Sequence, residues 1–135
     1  MNKFNVEDFE KSLHTGFIDK TINSELNYQP ELLVNSKIPR RKVLTTIISE
    51  FEKCETFFIS VAFVTTSGVS SIMNALLDLE EKGIKGKVIV SQYLDFTQPE
   101  ALKKLLKFKN IELRIATKNN SHSKGYLFKT QNHYS

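Results

Sequence analysis

A single α/β domain with a mainly parallel sheet and flanking helices is the fold class this sequence predicts, on three observations. The first is a nearly unbroken β-branched and aromatic run, Thr56-Phe57-Phe58-Ile59-Ser60-Val61-Ala62-Phe63-Val64, which reads as a central parallel strand buried on both faces. The second is helical spacing on either side of it: Val43, Leu44, Ile47, Ile48 and Phe51 before, and Val69, Ile72, Met73, Leu76 and Leu77 after. The third is the order of the later elements, strand, helix, strand, which completes a β-α-β-α-β pattern. Strands separated by helices need crossover connections, which are right-handed and place helices on the faces of a parallel sheet.

Residues 1–39 form an irregular N-terminal arm, with a short helix around Val6, Phe9 and Leu13 and with Pro30 and Pro39 breaking any longer element. The α/β domain spans residues 40–135. Pro39 stands before the first turn of the helix that starts at Arg40. After the central strand and Thr65-Thr66-Ser67-Gly68, one helix carries Val69 to Leu77 and stops at Gly83. Lys87-Val88-Ile89-Val90-Ser91 is the next strand. Thr97-Gln98-Pro99-Glu100 has the capping-box form that opens a third helix, with Leu102, Leu105 and Leu106 as its apolar side and Asn110 as its end. Ile111-Glu112-Leu113-Arg114-Ile115 alternates as a half-buried strand. Ligands of such sheets bind beyond the carboxyl ends of the strands, so the loops at residues 65–68, 92–97 and 117–121 are expected at the functional edge.

Composition narrows the function classes. The chain has 135 residues, 40% of them hydrophobic, enough for one core. No apolar run approaches membrane-spanning length, and Met1-Asn2-Lys3-Phe4-Asn5 lacks the pattern of a secretory signal, so a soluble cytoplasmic protein is expected. Cys54 is the only cysteine; it cannot form an internal disulfide and is expected to be buried. The net charge of +4 is unevenly spread. Residues 1–100 hold 11 Lys+Arg against 14 Asp+Glu, whereas residues 101–135 hold 8 against Glu112 alone, a local net charge of +7. Such a section either attracts phosphates or is a solvated basic face without a partner.

Ser121-His122-Ser123-Lys124-Gly125-Tyr126-Leu127-Phe128-Lys129 carries the chemistry. As a strand it would point His122 and Lys124 the same way, with Cα atoms about 6–7 Å apart and room for one phosphate between the side chains. An imidazole can attack phosphorus while an ammonium neutralises the non-bridging oxygens. Gly125 would permit close approach by a ligand or a neighbouring backbone. Tyr126 and Phe128 continue that face as packing residues. Ser67 and Gly68 either offer backbone donors to an anion or form an ordinary helix cap. Tyr93 either lines the site or packs within its loop. His14 and His133 belong to no constellation.

Four stretches, in order, carry a resemblance: Phe58 to Gly68; Ser91-Gln92-Tyr93-Leu94-Asp95-Phe96-Thr97 leading into Pro99-Glu100-Ala101-Leu102; Asn110 to Ile115; and His122 to Phe128. Gly16-Phe17-Ile18-Asp19 and Leu32-Leu33-Val34-Asn35 add to it weakly. Together they resemble the phospholipase-D-like (HKD) domain found at the N-terminus of bacterial superfamily II, DEAD/DEAH-type helicases. The resemblance implies cofactor-free, metal-independent phosphodiester cleavage through a phosphohistidine, with His122 as nucleophile or acid/base and Lys124 as the phosphate-holding lysine. It also implies DNA as substrate and helicase domains in the parent chain. Such sites use two His-x-Lys motifs, so one motif here implies a homodimer or another partner. The family carries an aspartate five residues beyond the lysine, where this chain has Lys129. It also continues into a strand and a Gly-Ser-x-Asn segment, so the domain is expected to be incomplete at Ser135. The alternatives are an inactive DNA-binding or regulatory module of the same fold, and a purely structural or dimerising domain. Lipid hydrolysis is set aside because nothing resembles a membrane-binding helix.

Overall fold

The computed structural model describes residues 6–14, 32–118, 121–131 and 134–135. They fall into two compact units, residues 1–43 and 44–135. The stretch 16–19, Pro30, Asn119, Asn120 and His133 lie outside the described residues.

The first unit contains helix α1, Val6–Leu13, as the apolar spacing predicts, and a short antiparallel hairpin of β1, Ser36–Lys37, and β2, Arg40–Arg41. The hairpin corrects the expectation that Pro39 opens a helix. Ile38 and Pro39 form its turn, and α2 starts later, at Val43. The Val43 N–H donates to Oδ1 of Asn35 at 3.0 Å, which satisfies a backbone donor that has no partner inside a helix.

The second unit is built on a four-stranded sheet. Its strands are β3, Thr56–Val61; β4, Lys85–Ser91; β5, Ile111–Ala116; and β6, Gly125–Lys129. The order is β5-β4-β3-β6, with β3, β4 and β5 parallel and β6 antiparallel to β3. The central strand is shorter than its apolar run. Ala62, Phe63 and Val64 leave the sheet, although Ala62 stays fully buried.

Helices α2, Val43–Lys53; α3, Thr66–Ser71; α4, Met73–Glu81; and α5, Pro99–Leu105 all contribute to one core. Phe51, Val69, Leu76, Leu79, Ala101 and Leu105 meet Phe57, Ile59, Val61, Val88, Val90 and Phe128 there. Strand side chains alternate faces, so those sheet residues define a single face, and the expectation that the central strand is buried on both faces is corrected. The crossovers β3 to β4 and β4 to β5 step in the same direction across the sheet, and right-handed crossovers stepping one way must share a side. The opposite face carries Phe58, Ser60 and Ile89, half-buried, and Leu127, exposed.

At the centre of the core Phe51 meets Phe57 and Phe128 edge-on, at 5.3 and 5.0 Å between ring centroids. Gly86, the neighbour of Phe57 across β3 and β4, makes room for this cluster. A Cβ at Gly86 would stand 2.0 Å from Cζ of Phe57. Cys54 is buried as expected, and burial pushes its thiol pKa up.

Three boundaries differ from the spacing for local reasons. The helix expected through Val69 and Leu77 is broken at Ile72 (φ −114°, ψ 6°). There the Ser71 hydroxyl donates to the Gly68 carbonyl at 2.6 Å, competing with the helical ladder. The capping box at Thr97 does not form. A residue before proline is pushed out of the helical region, and Gln98 (ψ 124°) is therefore the N-cap with Pro99 at the first helical position. Thr97 instead donates from Oγ1 to the Ser91 carbonyl at 3.0 Å. Helix α5 ends at Leu105, short of Asn110, because its last turn tightens through Phe108 N–H to Leu105 C=O and turns Phe108 into the core. Leu106, expected on the apolar side, is exposed. The stop at Gly83 (φ 69°) is found, with Ile84 N–H bonding Leu79 C=O and Gly83 N–H bonding Glu80 C=O as in a Schellman cap.

Candidate active site

Because β6 runs antiparallel to β3, its beginning lies beside the carboxyl ends of the parallel strands. Pairing stops at Ser60 with Gly125, so the expected strand over residues 121–129 forms only from Gly125. Beyond that point β3 turns out of the sheet at Ala62 and leaves residues 121–124 without a ladder partner. They are held instead by the Ser121 N–H, which donates to Oγ of the buried Ser91 at the end of β4, 3.2 Å away. The Ser121 and Ser123 hydroxyls bond each other at 2.7 Å, and the Ser123 N–H donates to Ser121 Oγ.

This lead-in brings His122 and Lys124 together even though they are not in the strand. Lys124 Nζ stands 3.4 Å from His122 Nε2, and both residues are exposed. A lysine ammonium has only donors, so the contact is a hydrogen bond when Nε2 carries its lone pair. The two groups that could hold and attack a phosphate therefore share one point at the carboxyl edge of the sheet.

Aromatic rings border the pair. Tyr93 lies with its ring centroid 4.6 Å from that of His122, so the structure places it at the site. Lys124 Nζ lies 5.5 Å from the centroid of Phe63, and Phe63 meets Phe96 edge-on at 5.6 Å. Sequence patterning does not single out Phe63 or Phe96. Phe63 is hidden in the run that reads as a buried strand, and the one signal for Phe96 is an apolar residue stranded in a polar loop.

The other sequence candidates are placed differently. Ser67 and Gly68 sit in the cap of α3, where Thr65 Oγ1 accepts the Gly68 N–H at 3.1 Å and contacts Ser67 Oγ at 3.2 Å. Gly125 has nothing within 4 Å of where a Cβ would stand, so no neighbouring backbone makes the close approach it would permit. Lys129 lies at the far end of β6, paired with Thr56, roughly 16 Å along the strand from Lys124 at about 3.3 Å per residue. Phe128 packs in the core and Tyr126 is partly exposed, with burial pushing its hydroxyl pKa up.

Several cations of the basic C-terminal section are already partnered. Lys103 pairs with Glu100 at 2.7 Å, Lys104 donates to Ser70 Oγ at 2.9 Å, and Arg114 pairs with Glu112 on the uncovered sheet face. Lys124 is the cation it delivers to the histidine. Among the described residues no group of three or more His, Cys, Asp and Glu side chains is arranged to hold a metal ion. Among them, too, no helix is long and apolar enough to cross a membrane. An apolar cavity of about 210 Å³ lies on the helix-covered face, lined in part by Leu44, Ile47, Val69, Ile72 and Tyr126. Its walls do not include His122 or Lys124.

Fold and site define a mixed α/β protein with an exposed histidine–lysine pair at the carboxyl edge of its sheet. A scan against protein-family models finds no match, and a search of the curated proteins finds no relative.

Proposed function

We propose that this protein is a phosphodiesterase-class module, and more narrowly a phospholipase-D-like nuclease module of a DNA-processing helicase, cytoplasmic and acting without a metal. The observation that carries the reading is the 3.4 Å approach of Lys124 Nζ to His122 Nε2 at the carboxyl edge. A phosphate entering there draws the ammonium onto its non-bridging oxygens and frees the Nε2 lone pair. Nε2 then attacks phosphorus, a P–N bond forms, and the P–O bond to the leaving group breaks. In the second step water attacks phosphorus, gives its proton to the group that had protonated the leaving oxygen, and breaks the P–N bond to restore the imidazole. The leaving oxygen needs a proton from a second acid, which a second copy of the chain or another partner supplies through its own histidine.

A second reading is an inactive DNA-binding or regulatory module, favoured by Lys129 in the position of the family's aspartate. One experiment separates the two. The chain is incubated with DNA in the presence of a chelator, beside His122→Ala. Cleavage lost in the variant supports the first reading, and undiminished cleavage by His122→Ala overturns it. Salt-dependent binding without turnover supports the second reading. No binding at low salt overturns both and leaves a structural or dimerising domain.

A further inference from the structure

The loop between β4 and α5 presents hydrocarbon to water beside the histidine–lysine pair, and its ends are tied down. Leu94 and Phe96 are 61% and 54% exposed. Leu94 (φ 49°) adopts the left-handed conformation that bulky side chains avoid, followed by Asp95 (φ 55°), which tolerates it, and the strain at Leu94 persists only where the surroundings impose it. Those surroundings are visible at both ends of the loop. Tyr93 N–H reaches the Ala62 carbonyl at 3.4 Å and Thr97 Oγ1 donates to the Ser91 carbonyl. Gln98 N–H donates to the Val64 carbonyl at 2.9 Å, while Gln98 Oε1 accepts the Thr66 N–H at 2.7 Å.

Resting on the phosphodiesterase reading, we propose that Phe96, backed by Phe63 and flanked by Tyr93, is a stacking platform for an unpaired base. The preferred substrate class is then single-stranded nucleic acid. The rings and the cation are adjacent: Phe63 lies 5.6 Å from Phe96 and 5.5 Å from Lys124 Nζ, and Tyr93 touches His122. A phosphate held at His122 and Lys124 leaves its neighbouring base beside Phe96. Bases inside a duplex keep their faces covered by stacking, so only an unpaired one can use the platform. Asp95, exposed at the loop tip, repels phosphate there and reserves that side for a base.

The test measures fluorescence-anisotropy binding of a short single-stranded oligodeoxynucleotide and of the blunt duplex of the same sequence to the full chain. Phe96→Ala should weaken single-strand binding about tenfold, with duplex binding unchanged, and Phe96→Trp should restore it. Phe96 is more than half exposed, so the fold should survive, and an unchanged melting curve checks this. Equal weakening of both forms, or no weakening of either, overturns the platform. If single-strand binding falls with Lys124→Ala but not with Phe96→Ala, the platform alone is lost. If the wild-type chain binds neither oligonucleotide, the phosphodiesterase reading falls with it.

Discussion

Nζ of Lys124 lies 3.4 Å from Nε2 of His122, and the two residues have no ladder partner in the sheet. If this contact is the resting form of a phosphate site, the side chains have separable effects. His122→Ala should reduce turnover to the uncatalysed level. Lys124→Ala should lower the rate by on the order of 10²–10³, the usual loss when one donor to a developing charge is removed. Initial rates of phosphodiester cleavage with chelator present check both values.

Ser91 fixes where that pair stands. Its buried Oγ accepts the Ser121 N–H, and Ser91→Ala leaves that donor unpaired. A loss of about 1 kcal/mol in stability is expected, together with a lower rate. Urea unfolding measures the first and kinetics the second; a full rate with lowered stability would make Ser91 purely structural.

Gly86→Ala should destabilise the protein by about 1–3 kcal/mol. The added methyl carbon would stand 2.0 Å from the Phe57 ring, which is itself packed edge-on against Phe51. Gly125→Ala is the contrasting case, since nothing lies within 4 Å of the new carbon. Its melting temperature should be unchanged, so any fall in activity reports on the approach of substrate.

Two titrations have opposite signs. Burial raises the Cys54 pKa, so this thiol contributes stability below its unfolded value of about 8.5, and the contribution is lost as pH rises through the folded value. Alkylation of Cys54 at mildly alkaline pH should wait for unfolding, which mass spectrometry can follow. Hydrogen bonding from Arg114 lowers the Glu112 pKa, so its contribution is present above the unfolded value of about 4.3 and fades as pH falls through the folded one. Glu112 is exposed, and Glu112→Gln should shift acid unfolding only slightly.

The parallel core is legible in the sequence because its signals are local and periodic. Phe57, Ile59 and Val61 of the central run, with Leu76, Val88 and Leu105, read correctly as core. The boundaries that differ are decided by single side chains acting on the backbone: Ser71 on the Gly68 carbonyl, and Pro99 on the conformation of Gln98. At the site, the spacing of His122 and Lys124 suggests a strand. The segment is held at the carboxyl edge instead by Ser121 on Ser91, thirty positions earlier, a tertiary bond with no periodic trace. Phe63 and Phe96 meet only through the tertiary fold, and for the same reason no local pattern marks them.

Sheet pairing of β6 starts at Gly125, one residue after the last of the chemically loaded positions. Sheet pairing and the candidate site are thus written in adjacent but separate stretches of one segment. Substitutions at the exposed residues 121–124 should therefore cost little stability, whereas truncating the buried Phe128 of β6 should cut into the core directly. The sheet can therefore absorb change at its carboxyl edge without losing its pairing.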